Sequence, residues 1–211
     1  MPQKDASHRL KIAVLISGGG TTLRNLIQKI DAGDLGVEIA FVISSSKTAA
    51  GLQFAVTAGI RSLVVRRADC LSAEAFREAI FSPCREAGAE LVVMGGFLKH
   101  LLIPPDYLGR VMNVHPALIP AFCGHGFYGP RVHQAVLDYG AKVSGCTVHF
   151  VDDQFDRGPI IDQRVVPVLD DDSAETLAAR VFEQECDALP NAIQLYADGR
   201  LRIEGRRVRM T

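Results

Sequence analysis

The sequence predicts an open, doubly wound α/β sheet with mostly parallel strands, and three observations carry that prediction. Unbroken aliphatic runs of strand length recur through the first half of the chain. Segments with helical spacing separate them, and polar or glycine-rich stretches follow the runs. Strands without alternation are buried on both faces, which requires helices on both sides of a parallel sheet. Ligands of such sheets bind beyond the carboxyl ends of the strands, where the unusual segments of this chain lie.

Residues 12–16 (IAVLI) form the first strand, and Leu23, Leu26, Ile27 and Ile30 then follow helical spacing up to Gly33. Residues 37–43 (VEIAFVI) are a second strand, 52–58 a helix closed by Gly59, and 63–65 a short strand. Ser72 opens another helix, before the strand 89–94 (AELVVM) and Gly95-Gly96. The second half changes character. Residues 144–151 (SGCTVHFV) and 160–168 read as strands joined by a turn, DDQFDRG. Ser173 starts a long helix running towards Tyr196, which Pro190 should bend or break. The basic end, RLRIEGRRVRM, closes the chain as an edge hairpin. No repeat or Ser/Gly/Pro-rich linker divides residues 11–211, which read as one domain behind a polar tail, 1–10.

Twenty-three Lys and Arg against 24 Asp and Glu give a net charge of −1, which argues against a polybasic nucleic-acid binder. No apolar run approaches the ~18 residues a membrane span needs, and the polar leader lacks the apolar core of a secretory signal. Cys70, Cys84, Cys123, Cys146 and Cys186 are scattered, without a C-x-x-C pair. That pattern fits packed thiols in a reducing, cytoplasmic compartment and argues against a zinc site.

Three segments can carry chemistry. SGGGTT, between a strand and a helix, suits an anion, because glycines turn backbone amides inward and a helix N-terminus adds positive potential. Leu23 stands where a dinucleotide fingerprint needs its third glycine, so a phosphate monoester fits better. The alternative is a tight turn with Thr21 or Thr22 as N-cap. Asn113 and His115, two apart at a strand's end, point the same way and could stabilise an oxyanion. Equally, His115 could be satisfied by a neighbouring carbonyl. Asp156, in D-R-G-P, could raise and orient an imidazole, or be only a turn residue. His149 reads as a satisfied core histidine, and His125, in CGHGFYG, as a loop residue over a pocket.

In this order, SGGGTTL, GGFLKHL, NVHPALIP, GCTVHFVDDQFDRGPII and AARVFEQE resemble the phosphoribosylglycinamide formyltransferases, from Lys11 to the end of the chain. These are folate-dependent purine enzymes with a Rossmann-like formyltransferase fold. Methionyl-tRNA formyltransferases are similar but continue into a C-terminal barrel, and formyltetrahydrofolate deformylases carry an N-terminal regulatory domain; the length here suits neither. The resemblance implies 10-formyltetrahydrofolate as co-substrate, glycinamide ribonucleotide as acceptor, and no metal. It implies no nucleic-acid or membrane partner, and a monomer or homodimer.

By the same resemblance Asn113, His115 and Asp156 are catalytic. Gly19, Gly20, Thr21, Thr22, Gly96, Pro116 and Glu185 would hold the ribonucleotide, with Glu185 on the ribose hydroxyls. Lys99, Leu101, Asn113, Asp152, Asp153, Gln154 and Phe155 would surround the folate. Residues 11–110 then form the phosphate side and 111–211 the catalytic and folate side. This chain has Thr22 where Asn is common, and Ala73 where many relatives place a phosphate-side Arg, with Arg66 or Arg67 as substitutes. The stretch CGHGFYGPRVH is longer than usual, so the cover over the ribonucleotide should differ in shape. Folate deformylation and a non-catalytic folate or phosphoribosyl sensor are the rival expectations.

Overall fold

A computed structural model describes residues 9–211. Most of the expected polar tail lies outside the described residues, and the first strand begins at Leu10, one residue inside that tail. Nine strands form one sheet: β1 Leu10–Ile16, β2 Val37–Ser44, β3 Ser62–Val64, β4 Leu91–Met94, β5 Val111–His115, β6 Val143–Phe150, β7 Ile160–Pro167, β8 Leu201–Glu204 and β9 Arg207–Met210. Their order is β3-β2-β1-β4-β5-β6-β7-β9-β8. The strands from β3 to β5 are parallel, β6 is antiparallel to both of its neighbours, and β8 and β9 form the C-terminal hairpin at the edge. The helices are α1 Thr21–Asp31, α2 Leu52–Thr57, α3 Ala73–Glu86, α4 Pro130–Tyr139 and α5 Ala174–Ala197.

The aliphatic run of β1 is explained by packing on both faces. Ile12, Val14 and Ile16 join one core with Leu23 and Leu26 of α1 and Leu177, Val181 and Leu189 of α5. Ala13 and Leu15 face the other way, onto Phe76, Ile80 and Phe81 of α3. Each such buried Leu or Ile contributes roughly 1.5–3 kcal/mol relative to exposure. Helix starts follow the capping residues seen in the sequence. Ser72 Oγ accepts the Ala75 N–H, and Ser173 and Thr176 cap one another reciprocally.

Of the expected bend or break at Pro190, the break does not occur: α5 runs through it. A proline here leaves the Cys186 carbonyl without its helical donor. Asn25 of α1 supplies the replacement, donating from Nδ2 to Cys186 O at 2.8 Å. The long helix therefore continues because a neighbouring helix satisfies the freed group.

Candidate active site

The strand order reverses between β1 and β4, so the loops leaving them diverge and open a crevice at their carboxyl ends. Ser17 ties the loops together. Its hydroxyl accepts the Leu98 N–H at 2.8 Å and shares a hydrogen bond with Ser45 at 2.7 Å. A cavity of about 570 Å³ occupies the crevice, within the range of small-molecule sites. Thr21, Thr22, Gly96, Asn113, His115, Pro116, Asp156 and Glu185 all line it.

Gly19 and Gly20 do not line the cavity. Gly20 is the N-cap of α1, with φ of 72°, and a Cβ there would overlap the backbone of Gly51. Its role is a close backbone approach that seats the helix end. Thr21 and Thr22 are the first two helical residues rather than caps, and no side chain caps α1. The first-turn amides thus have no side-chain acceptor and the helix end faces the crevice, as an anion site requires.

Arg66 and Arg67, the expected substitutes for a phosphate-side Arg, lie away from the cavity. Arg66 pairs with Asp69 through two hydrogen bonds and Arg67 donates to Cys70 O. The arginine among the lining residues is Arg131, whose guanidinium lies over the Tyr128 ring at 5.1 Å. His125 lines it as well, in edge contact with Phe155 at 5.7 Å. The longer stretch after Cys123 therefore covers the crevice.

Antiparallel pairing sets Asn113 of β5 opposite His149 of β6. His149 donates from Nδ1 to the Phe150 carbonyl at 2.7 Å, which leaves Nε2 to accept an Asn113 Nδ2 hydrogen at 3.2 Å. The second amide hydrogen of Asn113 remains for another acceptor. His149 was expected as a core histidine. It is buried and satisfied, but it also stands 3.6 Å from Asp156 Oδ1. Sequence reading missed its place at the site because only the strand register brings it there.

Asp156 lies between two imidazoles, with Oδ2 3.6 Å from His115 Nδ1. Oδ2 also accepts the Gly124 N–H at 2.9 Å. Asp156 adopts φ of 53°, a left-handed backbone that Asp tolerates better than most residues and that aims its carboxylate inward. Burial opposes its ionisation, yet the His149 and His115 rings and the Gly124 N–H hold the carboxyl below the usual range.

Asp156 does not raise His115 above its ordinary pKa. Burial pushes its pKa below the ordinary value, and the opposing pull of Asp156 and of the Phe122 carbonyl does not offset that. Nε2 donates to Phe122 O at 2.9 Å, so in the neutral ring the Nδ1 lone pair faces Asp156.

A smaller cavity of about 60 Å³ adjoins the first and shares Phe97, Asn113, Phe155 and Asp156 with it. Lys99, Leu101, Asp152 and Gln154, all expected near a folate, line it. Asp153 does not. Its Oδ1 accepts the Ile103 N–H and its carbonyl meets His100 Nε2, so it fastens the 152–156 loop to the 100–103 segment.

Ala178, Phe182 and Glu185 present one face of α5 to the large cavity. Burial alone pushes the Glu185 carboxyl up to about 8. A raised carboxyl pKa means the folded chain holds a proton that the unfolded chain releases. The favourable contribution is full below the ordinary value of 4.5 and is lost as pH rises towards 8. Glu185→Gln should match wild type near pH 4.5 and become the more stable protein above it. The gain should be at most about 1.4 kcal/mol per pH unit across that window. Urea unfolding at pH 5 and pH 9 measures this, and equal differences at both values would remove the buried-acid assignment.

Among the described residues, no group of three or more His, Cys, Asp or Glu could hold a metal ion, and no helix is long and apolar enough to cross a membrane.

The family model described as formyl transferase matches residues 10–193. The chain is 36% identical over 197 residues to the phosphoribosylglycinamide formyltransferase of Haemophilus influenzae, covering 92% of this chain and 90% of that protein. It is 38% identical over 202 residues to the trifunctional purine biosynthetic protein adenosine-3 of Gallus gallus, covering 95% of this chain but only 20% of that relative's length. The crystal structure of glycinamide ribonucleotide transformylase 1 from Symbiobacterium toebii superposes with a TM-score of 0.88 at 40% identity, over 97% of this chain and 95% of that one. With a family model spanning most of its length and relatives this similar over nearly all of it, the chain belongs to the formyl transferase family.

Proposed function

We propose that this chain transfers the formyl group of 10-formyltetrahydrofolate to the primary amine of glycinamide ribonucleotide, a step of purine biosynthesis. The observation that carries the reading is the meeting of two cavities at Asn113 and Asp156. The larger has the uncapped start of α1 on its wall, suited to a phosphate, and the smaller is bounded by the 152–156 loop. Two substrates laid end to end would bring amine and formyl carbon together at the shared wall. Such positioning is worth several kcal/mol of a barrier. A 60 Å³ space is small beside the roughly 300–1,000 Å³ of typical ligand sites. A pterin would therefore extend from this space into the larger cavity that shares its wall.

In this reading the amine attacks the formyl carbon and charge grows on the formyl oxygen. Asn113 meets it with its remaining amide hydrogen, a contribution typically near 3 kcal/mol. His115 starts neutral and takes the proton lost by the amine at Nδ1, beside the Asp156 carboxylate, which stabilises the imidazolium so formed. The new C–N bond forms, the bond from the formyl carbon to the folate nitrogen breaks, and that nitrogen receives the proton. The substrates and the free thiols suit a cytoplasmic, reducing compartment.

An acceptor-dependent assay tests the proposal. Tetrahydrofolate is expected from formylfolate only when the ribonucleotide is added. Release at full rate without it would favour folate hydrolysis, and binding without turnover a sensor. Thr22→Ala should raise KM for the ribonucleotide about tenfold, the loss of one hydrogen bond to a charged group, with kcat within about twofold. An unchanged KM would remove the anion role of the SGGGTT loop.

A further inference from the structure

Two buried side-chain polar atoms lack any hydrogen-bond partner among the described residues, Ser144 Oγ and His133 Nδ1. Ser144 lines neither cavity, whereas His133 lines the large one. Its residue is 4% exposed, on the second turn of a helix that follows the cover segment. An orphaned ring nitrogen in such a place costs stability unless something else bonds to it. Glu185, on the neighbouring α5, lines the same cavity and has no hydrogen-bond or ion-pair partner among the described residues. The acid and imidazoles nearest the chemistry are tied down: Asp156 to Gly124, His115 to Phe122, His149 to Phe150.

We infer that His133 is a substrate-binding residue, whose Nδ1 bonds a hydroxyl of the sugar ring that Glu185 holds from α5. The inference rests on the proposed function and names a second residue for its ribose. The chemistry favours hydroxyls over a phosphate at this place. A protonated carboxyl and an uncharged imidazole offer a dianion no positive charge, while each hydroxyl both donates and accepts and so suits an acid and an imidazole together. Burial, with His115 adding to the effect, also lowers the His133 pKa, so near neutral pH its ring is an uncharged partner. The uncapped end of α1 remains for the phosphate.

The test compares KM for glycinamide ribonucleotide with KM for its 2′-deoxy and 3′-deoxy analogues, in wild type, His133→Ala and His133→Asn. The Asn variant keeps a polar atom near the position of Nδ1. Because each comparison is a ratio within one protein, it does not depend on how much of a variant is folded. Wild type should show about a tenfold higher KM for one deoxy analogue. His133→Ala should show about a tenfold higher KM for the ribonucleotide, no further loss with that analogue, and unchanged KM for formylfolate. His133→Asn should recover most of the difference. If His133→Ala loses equally on all three acceptors, or lowers kcat rather than raising KM, the assignment of His133 is overturned while the formyl-transfer reading stands. A wild-type protein that formylates none of the three overturns that reading, and this inference with it.

Discussion

Asp156→Asn is expected to lower kcat by about a thousandfold, the mid-range of acid–base contributions, while KM for glycinamide ribonucleotide stays within about twofold. The substitution is nearly isosteric. An amide oxygen can still accept the Gly124 N–H, so the cover segment keeps its anchor. What disappears is the negative charge 3.6 Å from His115 Nδ1 and from His149 Nε2. His115 already lies below its ordinary pKa, with Asp156 the foremost influence pulling it up. Removing that pull lowers it further and makes the imidazolium of the proposed transfer harder to form.

The pH profile supplies an independent sign. Activity that needs a neutral His115 falls as pH drops through the His115 pKa, so the acid limb of kcat/KM in wild type lies below the ordinary imidazole value. In Asp156→Asn that limb should move to still lower pH. Stability gives a third reading. The carboxyl of Asp156 is held below its usual range, so its contribution is present above 3.8 and is lost as pH falls through the folded value. The variant should be less stable than wild type at neutral pH and converge with it in acid. Turnover within tenfold of wild type, or an acid limb that moves upward, would remove Asp156 from the proton path.

How much of this was legible beforehand follows from the range of each interaction. The β1–α1 unit, the helix starts at Ser72 and Ser173, and the terminal hairpin are specified by short stretches, and the structure has each of them. Asn113 and His115 were readable as a pair because alternation along one strand is a local rule. The position of His149 was not, because it depends on the pairing of β5 with β6 across a long connection. Pro190 misled for a related reason. Its penalty is local, but Asn25, which offsets it, is far away in sequence. His115 shows the same limit in electrostatics: a neighbouring carboxylate can be guessed from motifs, whereas the burial that outweighs it comes from the whole fold.

Gly158→Ala is expected to be the most damaging small substitution near the site, although Gly158 touches no cavity. It is buried, and a Cβ there would overlap the carbonyl oxygen of Phe150 and come within 3.4 Å of the Asp152 nitrogen. Both obstacles are backbone, so neither can swing aside. The strand end is fixed on either side, by the bond from Phe150 N to Pro159 O at 2.9 Å and by that from Val151 N to Val111 O at 2.8 Å. Overpacking of this kind costs typically 1–3 kcal/mol, and rigid neighbours place this case near about 3 kcal/mol. For a chain of this size that is a fall in Tm of about 6–12 °C. The Phe150 carbonyl is also the acceptor that fixes His149 Nδ1, and His149 Nε2 in turn orients the Asn113 amide. Displacing one oxygen thus passes through the histidine to the group proposed to meet the oxyanion. At a temperature where the variant is fully folded, kcat should still be at least about tenfold below wild type, the scale of losing much of one oxyanion donor. A wild-type Tm would show that the turn yields where the geometry says it cannot, and a lowered Tm with unchanged kcat would uncouple His149 from Asn113.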